Sequence, residues 1–480
     1  MATPVLTPDK GEQLKRDIRN AVITVLIGAV IWFIPVPVGL KAVTWHLFAI
    51  FVAVIAGFIL NPLPMGAVSM IALSFATITN TVSLGDALSG FSDSIIWLVV
   101  SSFLFAKAFI KTGLGYRIAY VLIRAIGDST LKLGYTLVIS DLIISPATPS
   151  NTARAGGILF PITKSLASAF DSNPGPTARR VGAYLMQTSY QANVITSAMF
   201  LTSMAGNPFI AQLAKESLGV QVDWGRWAVA AIVPGLLSLL VIPYFLFKVY
   251  PPEITRTPGA KTLAAEKLRA LGPLNFGEKV LTGVFLLTLL LWSTSTITNI
   301  AAPVVGLLGV AILLGTKTVL WEEVKEEKNA WDTLVWMGAL MSLASVLAKL
   351  NFFIWFAAIV KDRMHGVPWI PTLGVLLIIY IYSHYGFASL VPHIVAMYTA
   401  FGTVAIAAGA PKFLTAMTLA FASNLMMSLT HFAAGPSPIY FGAGFVDQGT
   451  WWKLGFYVSV INLIIWAVIG GLWWKLLGLW

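Results

Sequence analysis

Long apolar runs separated by brief polar breaks fill residues 21–36, 43–61, 65–80, 93–126, 181–212, 227–250, 279–297, 301–316, 331–361, 412–446 and 454–476. A membrane-crossing helix needs about 20 mainly apolar residues, so the pattern predicts about eleven transmembrane helices. Two further segments, 130–165 and 370–402, are too long for one plain span and carry polar, proline-containing centres, TPSNTARAGG and SHYGFASLVPH. Each predicts a re-entrant hairpin. Irregular backbone at membrane depth persists only where protein or a water-filled cavity satisfies its amides, so function is expected at these two centres. The fold class is an all-α polytopic membrane protein.

Composition agrees with that pattern: of 480 residues, 57% are hydrophobic and 11% charged, with mean hydropathy +0.82. A water-soluble domain carries about 25% charged residues, so this chain cannot coat itself against water. The 31 Lys and Arg exceed the 20 Asp and Glu to give a net charge of +11, which bears here on topology and not on nucleic acid. With no cysteine, disulfides, thiolate metal sites and Cys nucleophiles are excluded.

The polar, basic residues 1–20 show no small-residue cleavage pattern and read as a cytoplasmic lead into an uncleaved first span. Placing the N-terminus inside gathers Lys10, Lys15, Arg16, Arg19, Lys164, Arg179, Arg180 and the basic residues of 248–279 in the cytoplasm. The opposite loops hold scattered charges such as Lys41, Lys215 and Arg226. Trp480 then lies outside, with the hairpin at 130 entering from inside and the one at 370 from outside. The basic, Pro/Gly-rich stretch 251–278 reads as a linker. The lack of an Arg/Ser-rich transit segment favours a bacterial plasma membrane over a plastid envelope.

A repeat runs through the chain at an offset of 239 residues: Asp93-Ser94-Ile95-Ile96-Trp97 matches Asp332-Thr333-Leu334-Val335-Trp336. The same offset sets Ser150-Asn151-Thr152-Ala153-Arg154 against Ser389-Leu390-Val391-Pro392-His393, with a cation-capable side chain fifth in each. It also sets Thr196-Ser197-Ala198 against the Gly435-Pro436-Ser437 break. Five spans plus a hairpin separate the two units, which makes them oppositely oriented. Inverted repeats with interrupted helices in corresponding positions mark secondary transporters, whose substrate site lies at the repeat interface.

The segments Ser150 to Gly157, Thr196 to Thr202, Ser423-Asn424, Leu429-Thr430-His431 and Gly435-Pro436-Ser437-Pro438 resemble the divalent anion:sodium symporter family. The likeness is to its 2-oxoglutarate/malate and citrate/succinate exchanger branch. It implies a homodimer in which 21–126 and 279–361 form a scaffold while 130–250 and 370–476 form a transport domain that moves as an elevator. Relatives with Ser-Asn-Thr in both hairpins bind sodium and a dicarboxylate there. This sequence departs from them at the second tip, Ser389-Leu390-Val391.

A dianion entering low dielectric needs positive charge beside it. Arg154 and His393, just after the two tips and near helix N-termini, are expected to replace two sodium ions as fixed cations. With fixed charge, the empty transport domain crosses poorly, so return requires another dianion; this predicts sodium-independent exchange. Substrate contacts are expected from Ser150, Asn151 and Thr152, from Ser389, and from Thr196, Ser197, Thr430, His431 and Ser437 at the helix breaks. His384, Tyr385, Gly435 and Pro436 support them. Neither metal nor cofactor is expected.

Plainer roles compete. Ser150, Asn151 and Thr152 are also good helix caps, Asp93 and Asp332 stand where interfacial N-caps do, and Lys107, Lys111 and Lys349 have stems long enough to snorkel. An intramembrane hydrolase is disfavoured because neither G-x-S-x-G nor H-E-x-x-H occurs. A channel fits unlike tips less well than alternating access does. Within transporters, sodium-coupled symport is the alternative that Asn151 and Thr152 still permit.

Overall fold

The computed structural model describes residues 10–364 and 366–480. Its first part holds α1 (Lys10–Phe33), α2 (Ala42–Leu60), α3 (Met65–Ile78), the short α4 (Leu84–Leu88), α5 (Ser94–Thr112) and α6 (Leu114–Ile126). The segment expected to form the first hairpin follows as α7 (Thr130–Ile144), α8 (Asn151–Arg154) and α9 (Phe160–Ala169), then come α10 (Gly182–Met199), α11 (Gly206–Leu213) and α12 (Trp224–Val249). The middle holds α13 (Gly259–Leu271), α14 (Phe276–Ser293), α15 (Ser295–Thr298), α16 (Ala302–Gly315) and α17 (Trp321–Lys325). The rest repeats the plan: α18 (Lys328–Lys349), α19 (Phe352–Arg363), α20 (Trp369–Tyr382), α21 (Leu390–Ala407), α22 (Lys412–Leu425), α23 (Pro436–Gly442), α24 (Gln448–Ile464) and α25 (Gly471–Leu476).

Eight of the described helices are long and apolar enough to cross a membrane, with α3 and α16 shorter apolar helices. Several expected single runs are two helices. Gly113, at φ 79, splits 93–126 into α5 and α6, and Asn351, at φ 60, splits 331–361 into α18 and α19. Left-handed backbone cannot continue an α-helix, and hydropathy does not register it. The run 181–212 breaks between α10 and α11, and 412–446 between α22 and α23. The expected linker 251–278 is not loop throughout: α13 fills its centre and α14 begins at Phe276, where Asn275 and Glu278 form a capping box.

The chain divides into two compact units, residues 1–96 with 331–365 and residues 97–330 with 366–480. The second unit therefore takes in 97–126 and 279–330, which the resemblance places in the scaffold, together with both hairpins and both broken helices.

The 239-residue offset holds through the hairpins: Thr130 and Trp369 begin their first arms, and Asn151 and Leu390 their second. It fails beyond them. The first hairpin is followed by the longer connection 170–181 and the second by 408–411. In consequence the break after Met199 corresponds to the break after Ser428, 229 residues on, and Thr196-Ser197-Ala198 is not the counterpart of Gly435-Pro436-Ser437.

Candidate functional site

All of the following lies within the second unit. At the first tip, α7 tightens into a 3-10 turn at Ser145–Ala147 and the chain leaves helical geometry at Thr148. Ser150 restarts it by accepting a hydrogen bond from the Ala153 amide at 3.1 Å, so the capping role is real. The helix then widens into a π turn at Ala155–Leu159 before α9. Such π turns are rare and cluster at functional positions.

Arg154 is fully buried inside this hairpin. Its Nε donates to Asp141 Oδ1 at 2.7 Å, one Nη donates to the carbonyls of Thr148 at 2.6 Å and Ser203 at 2.9 Å, and the other reaches Thr196 Oγ1 at 3.3 Å and Ser197 Oγ at 3.1 Å. Asp141, equally buried, also accepts from the Thr196 hydroxyl and from Asn193 Nδ2 at 3.4 Å. The pair ties both arms of the hairpin to the broken end of α10. It also alters the expected charge balance: Arg154 is a fixed cation, but Asp141 matches its charge before any anion arrives. A buried pair this well hydrogen-bonded avoids the several kcal/mol that an unmatched ion costs.

The first break, between Met199 and Gly206, loosens backbone groups that side chains then hold. Ser203 Oγ donates to the Ser197 carbonyl at 2.6 Å, while Asn207 Nδ2 donates to the Ser197 and Phe200 carbonyls at 2.8 and 2.9 Å. The Thr202 hydroxyl donates to the Pro146 carbonyl, joining break to tip. Asn424 on α22 donates to Asn207 Oδ1 at 2.8 Å, joining the two broken helices.

The second break receives the first tip. Asn151 Nδ2 lies 3.2 Å from Met427 Sδ, and a methyl placed on Gly435 would fall 2.0 Å from Thr152 Oγ1. Only glycine allows that approach. Pro436 opens α23, and Ser437 Oγ accepts from the Ala434 amide at 3.1 Å and pairs with the Tyr190 hydroxyl at 2.7 Å. The reciprocal contact exists too, since a methyl on Gly206 would come within 3.2 Å of Ile394 Cδ1 on α21. Each half-helix after a break thus packs on the helix behind the other hairpin's tip.

At the second tip Ser389 is half-buried and caps nothing with its side chain. His393 and His384 are buried with ring centroids 5.2 Å apart. His393 Nε2 lies 3.0 Å from Ser383 Oγ, and His384 Nε2 lies 3.0 Å from the Ala433 carbonyl in the second break. His431 and Tyr385 meet around Trp452: its Nε1 donates to His431 Nδ1 at 3.0 Å, and its ring is 5.5 Å from that of Tyr385.

The structure therefore gathers Arg154, Thr196 and Ser197 into one cluster, and Asn151, Thr152, Gly435, Pro436 and Ser437 with Tyr190 into a second. His384 touches the second break through its backbone, while His431 and Tyr385 form an aromatic group around Trp452. Buried polar atoms without a hydrogen-bond partner among the described residues include Thr430 Oγ1, Asn424 Oδ1 and Asn193 Oδ1, all near the breaks. Such atoms in an apolar interior call for water or a polar ligand. Asp141, Asn193, Tyr190 and Asn207 are functional candidates that sequence reasoning does not single out. Asp141 is open to the rule that marks Arg154, an ionisable residue inside an apolar segment.

Hairpin tips against interrupted helices, on an all-helical polytopic fold, are the build of a membrane transporter, not of an enzyme. Residues 15–480 match the family described as sodium:sulfate symporter transmembrane region, and the chain belongs to that family, the divalent anion:sodium symporters. It is 51% identical over 473 residues to "Putative malate transporter YflS" of Bacillus subtilis, spanning 98% of this chain and 99% of that one. Identity is 47% over 466 residues with "Dicarboxylate transporter 1, chloroplastic" of Spinacia oleracea, across 96% and 82% of the two chains. With "Inner membrane protein YbhI" of Escherichia coli it is 39% over 474 residues, across 96% and 98%. The solved structure of Neisseria gonorrhoeae MtrF, from a class of antimetabolite efflux pumps, aligns with a TM-score of 0.56 at 13% identity over 98% of this chain and 96% of that one, a likeness of fold alone.

Proposed function

We propose that the protein exchanges C4 and C5 dicarboxylates such as 2-oxoglutarate, malate, fumarate and succinate across a bacterial plasma membrane without sodium. Its N-terminus is cytoplasmic and its C-terminus extracellular. It works as a homodimer, with the two re-entrant hairpins and broken helices moving as an elevator. Full-length similarity to proteins named for malate and dicarboxylates supports the substrate class.

One observation carries the exchange reading: the Arg154 guanidinium donates to the Thr148 carbonyl at the tip and the Ser203 carbonyl at the break. Such carbonyls are what a bound sodium ion would seek. A tethered cation fills them throughout the cycle, so no sodium gradient is coupled there. Because Asp141 balances that charge, the attraction for the dianion comes from the helix N-termini at tips and breaks, from the amide and hydroxyls of Asn151, Thr152 and Thr430, and from His393. Ser150, Ser389, Thr196, Ser197, His431 and Ser437 line or brace the same region.

The family description names sodium, and that favours sodium-coupled symport as the second reading. Competition tests the substrate class: uptake of labelled malate into malate-loaded proteoliposomes should fall with external 2-oxoglutarate, succinate or fumarate and be untouched by acetate. Indifference to all three diacids would remove the proposal.

A further inference from the structure

We infer that the connector carrying α13 binds the headgroups of anionic phospholipids, through the exposed cations Lys267, Arg269 and Lys279. The inference is independent of what the protein transports. Helix α13 is amphipathic: Ala260 and Ala264 are buried, and it packs along α6. Both ends are fastened. At the start, the Thr257 amide donates to the Asp128 carbonyl at 2.9 Å and Lys261 lies 3.6 Å from the Asp128 carboxylate. At the end, Arg117 donates to the Gly272 carbonyl at 2.9 Å and to Glu278 Oε1 at 2.6 Å. The connector is thus a braced surface element rather than a loose loop.

What it presents outward is positive charge beside apolar anchors. Lys267, Arg269 and Lys279 are exposed and form no ion pair among the described residues. Of the acids around α13, Glu278 pairs with Arg117 and Asp128 with Lys132 and Lys261, and exposed Glu266 is the one acid on α13 itself. Leu271, Leu274 and Phe276 are 38%, 46% and 67% exposed. Phe276 is also the first residue of α14, a helix apolar and long enough to cross the membrane, and Lys279 stands in its first turn. Lys279 therefore adjoins a candidate membrane span, and Lys267 and Arg269 lie on the connector leading into it, beside exposed apolar side chains. Basic clusters next to a membrane span attract anionic lipid, and basic helices with apolar anchors lie in the interface plane.

The test is native mass spectrometry of the full chain in detergent with equal amounts of phosphatidylglycerol and phosphatidylcholine. The wild type should retain the anionic lipid over the neutral one by about threefold or more, and added salt should erode that ratio. The K267Q/R269Q/K279Q variant should bring it close to equality with an unchanged melting temperature, because all three side chains are exposed. K132Q, which removes an exposed lysine already paired with Asp128, should leave it intact. Equal retention of the two lipids by the wild type, or an undiminished preference in the triple variant, would overturn the inference.

Discussion

Arg154 and Asp141 are both fully buried and salt-bridged to one another, and each is tolerable only because of the other. Arg154→Ala should therefore abolish exchange and also cost about 3–5 kcal/mol of stability, since it strands a buried carboxylate. Asp141→Asn in that background should restore much of the melting temperature but none of the transport. Recovery of transport in the double variant would show that the guanidinium matters only as a counter-ion. Gly435→Ala should fail differently, by pushing Thr152 from the second break, so counterflow is lost and Thr152→Ala partly restores it. Arg154 is legible in the sequence because a cation among apolar residues stands out. Asp141 is less so, since its partner lies 13 residues away across the turn of the hairpin and only the folded tip makes them neighbours. Tyr190 and Asn207 are hidden for the same reason: their partners Met427, Ser437 and Asn424 lie more than two hundred residues away.

The two interrupted segments announce themselves through polar, proline-bearing centres, and their helix arms begin at the 239-residue offset. The α5–α6 and α18–α19 junctions do not, because Gly113 and Asn351 turn the chain without interrupting its hydropathy. Helix α13 is masked for the converse reason. Flanking prolines and glycines give the stretch a loop's composition, yet Ala, Leu, Lys, Glu and Arg fill its interior and are strong helix formers. The entry into α14 just beyond it depends on the reciprocal Asn275 and Glu278 bonds, 2.8 and 2.9 Å long. Asn275→Ala should lower stability by about 1 kcal/mol, seen as a modest fall in melting temperature with exchange retained. A fall large enough to unfold the protein would mean that the capping box does more than close one helix.

In the whole molecule, both hairpins and both broken helices belong to one compact unit, and each half-helix leans on the helix behind the opposite tip. Composition and hydropathy are enough for the membrane class, but not for the division into units, since that depends on which helices touch. Exchange through a site whose cation is tethered differs most sharply from sodium symport when the interior is empty. The decisive measurement is uptake of labelled malate or 2-oxoglutarate into proteoliposomes with and without internal dicarboxylate, crossed with and without an inward sodium gradient. Uptake that requires the internal dianion and ignores sodium is the predicted result; sodium-driven uptake into vesicles holding no dicarboxylate would contradict it.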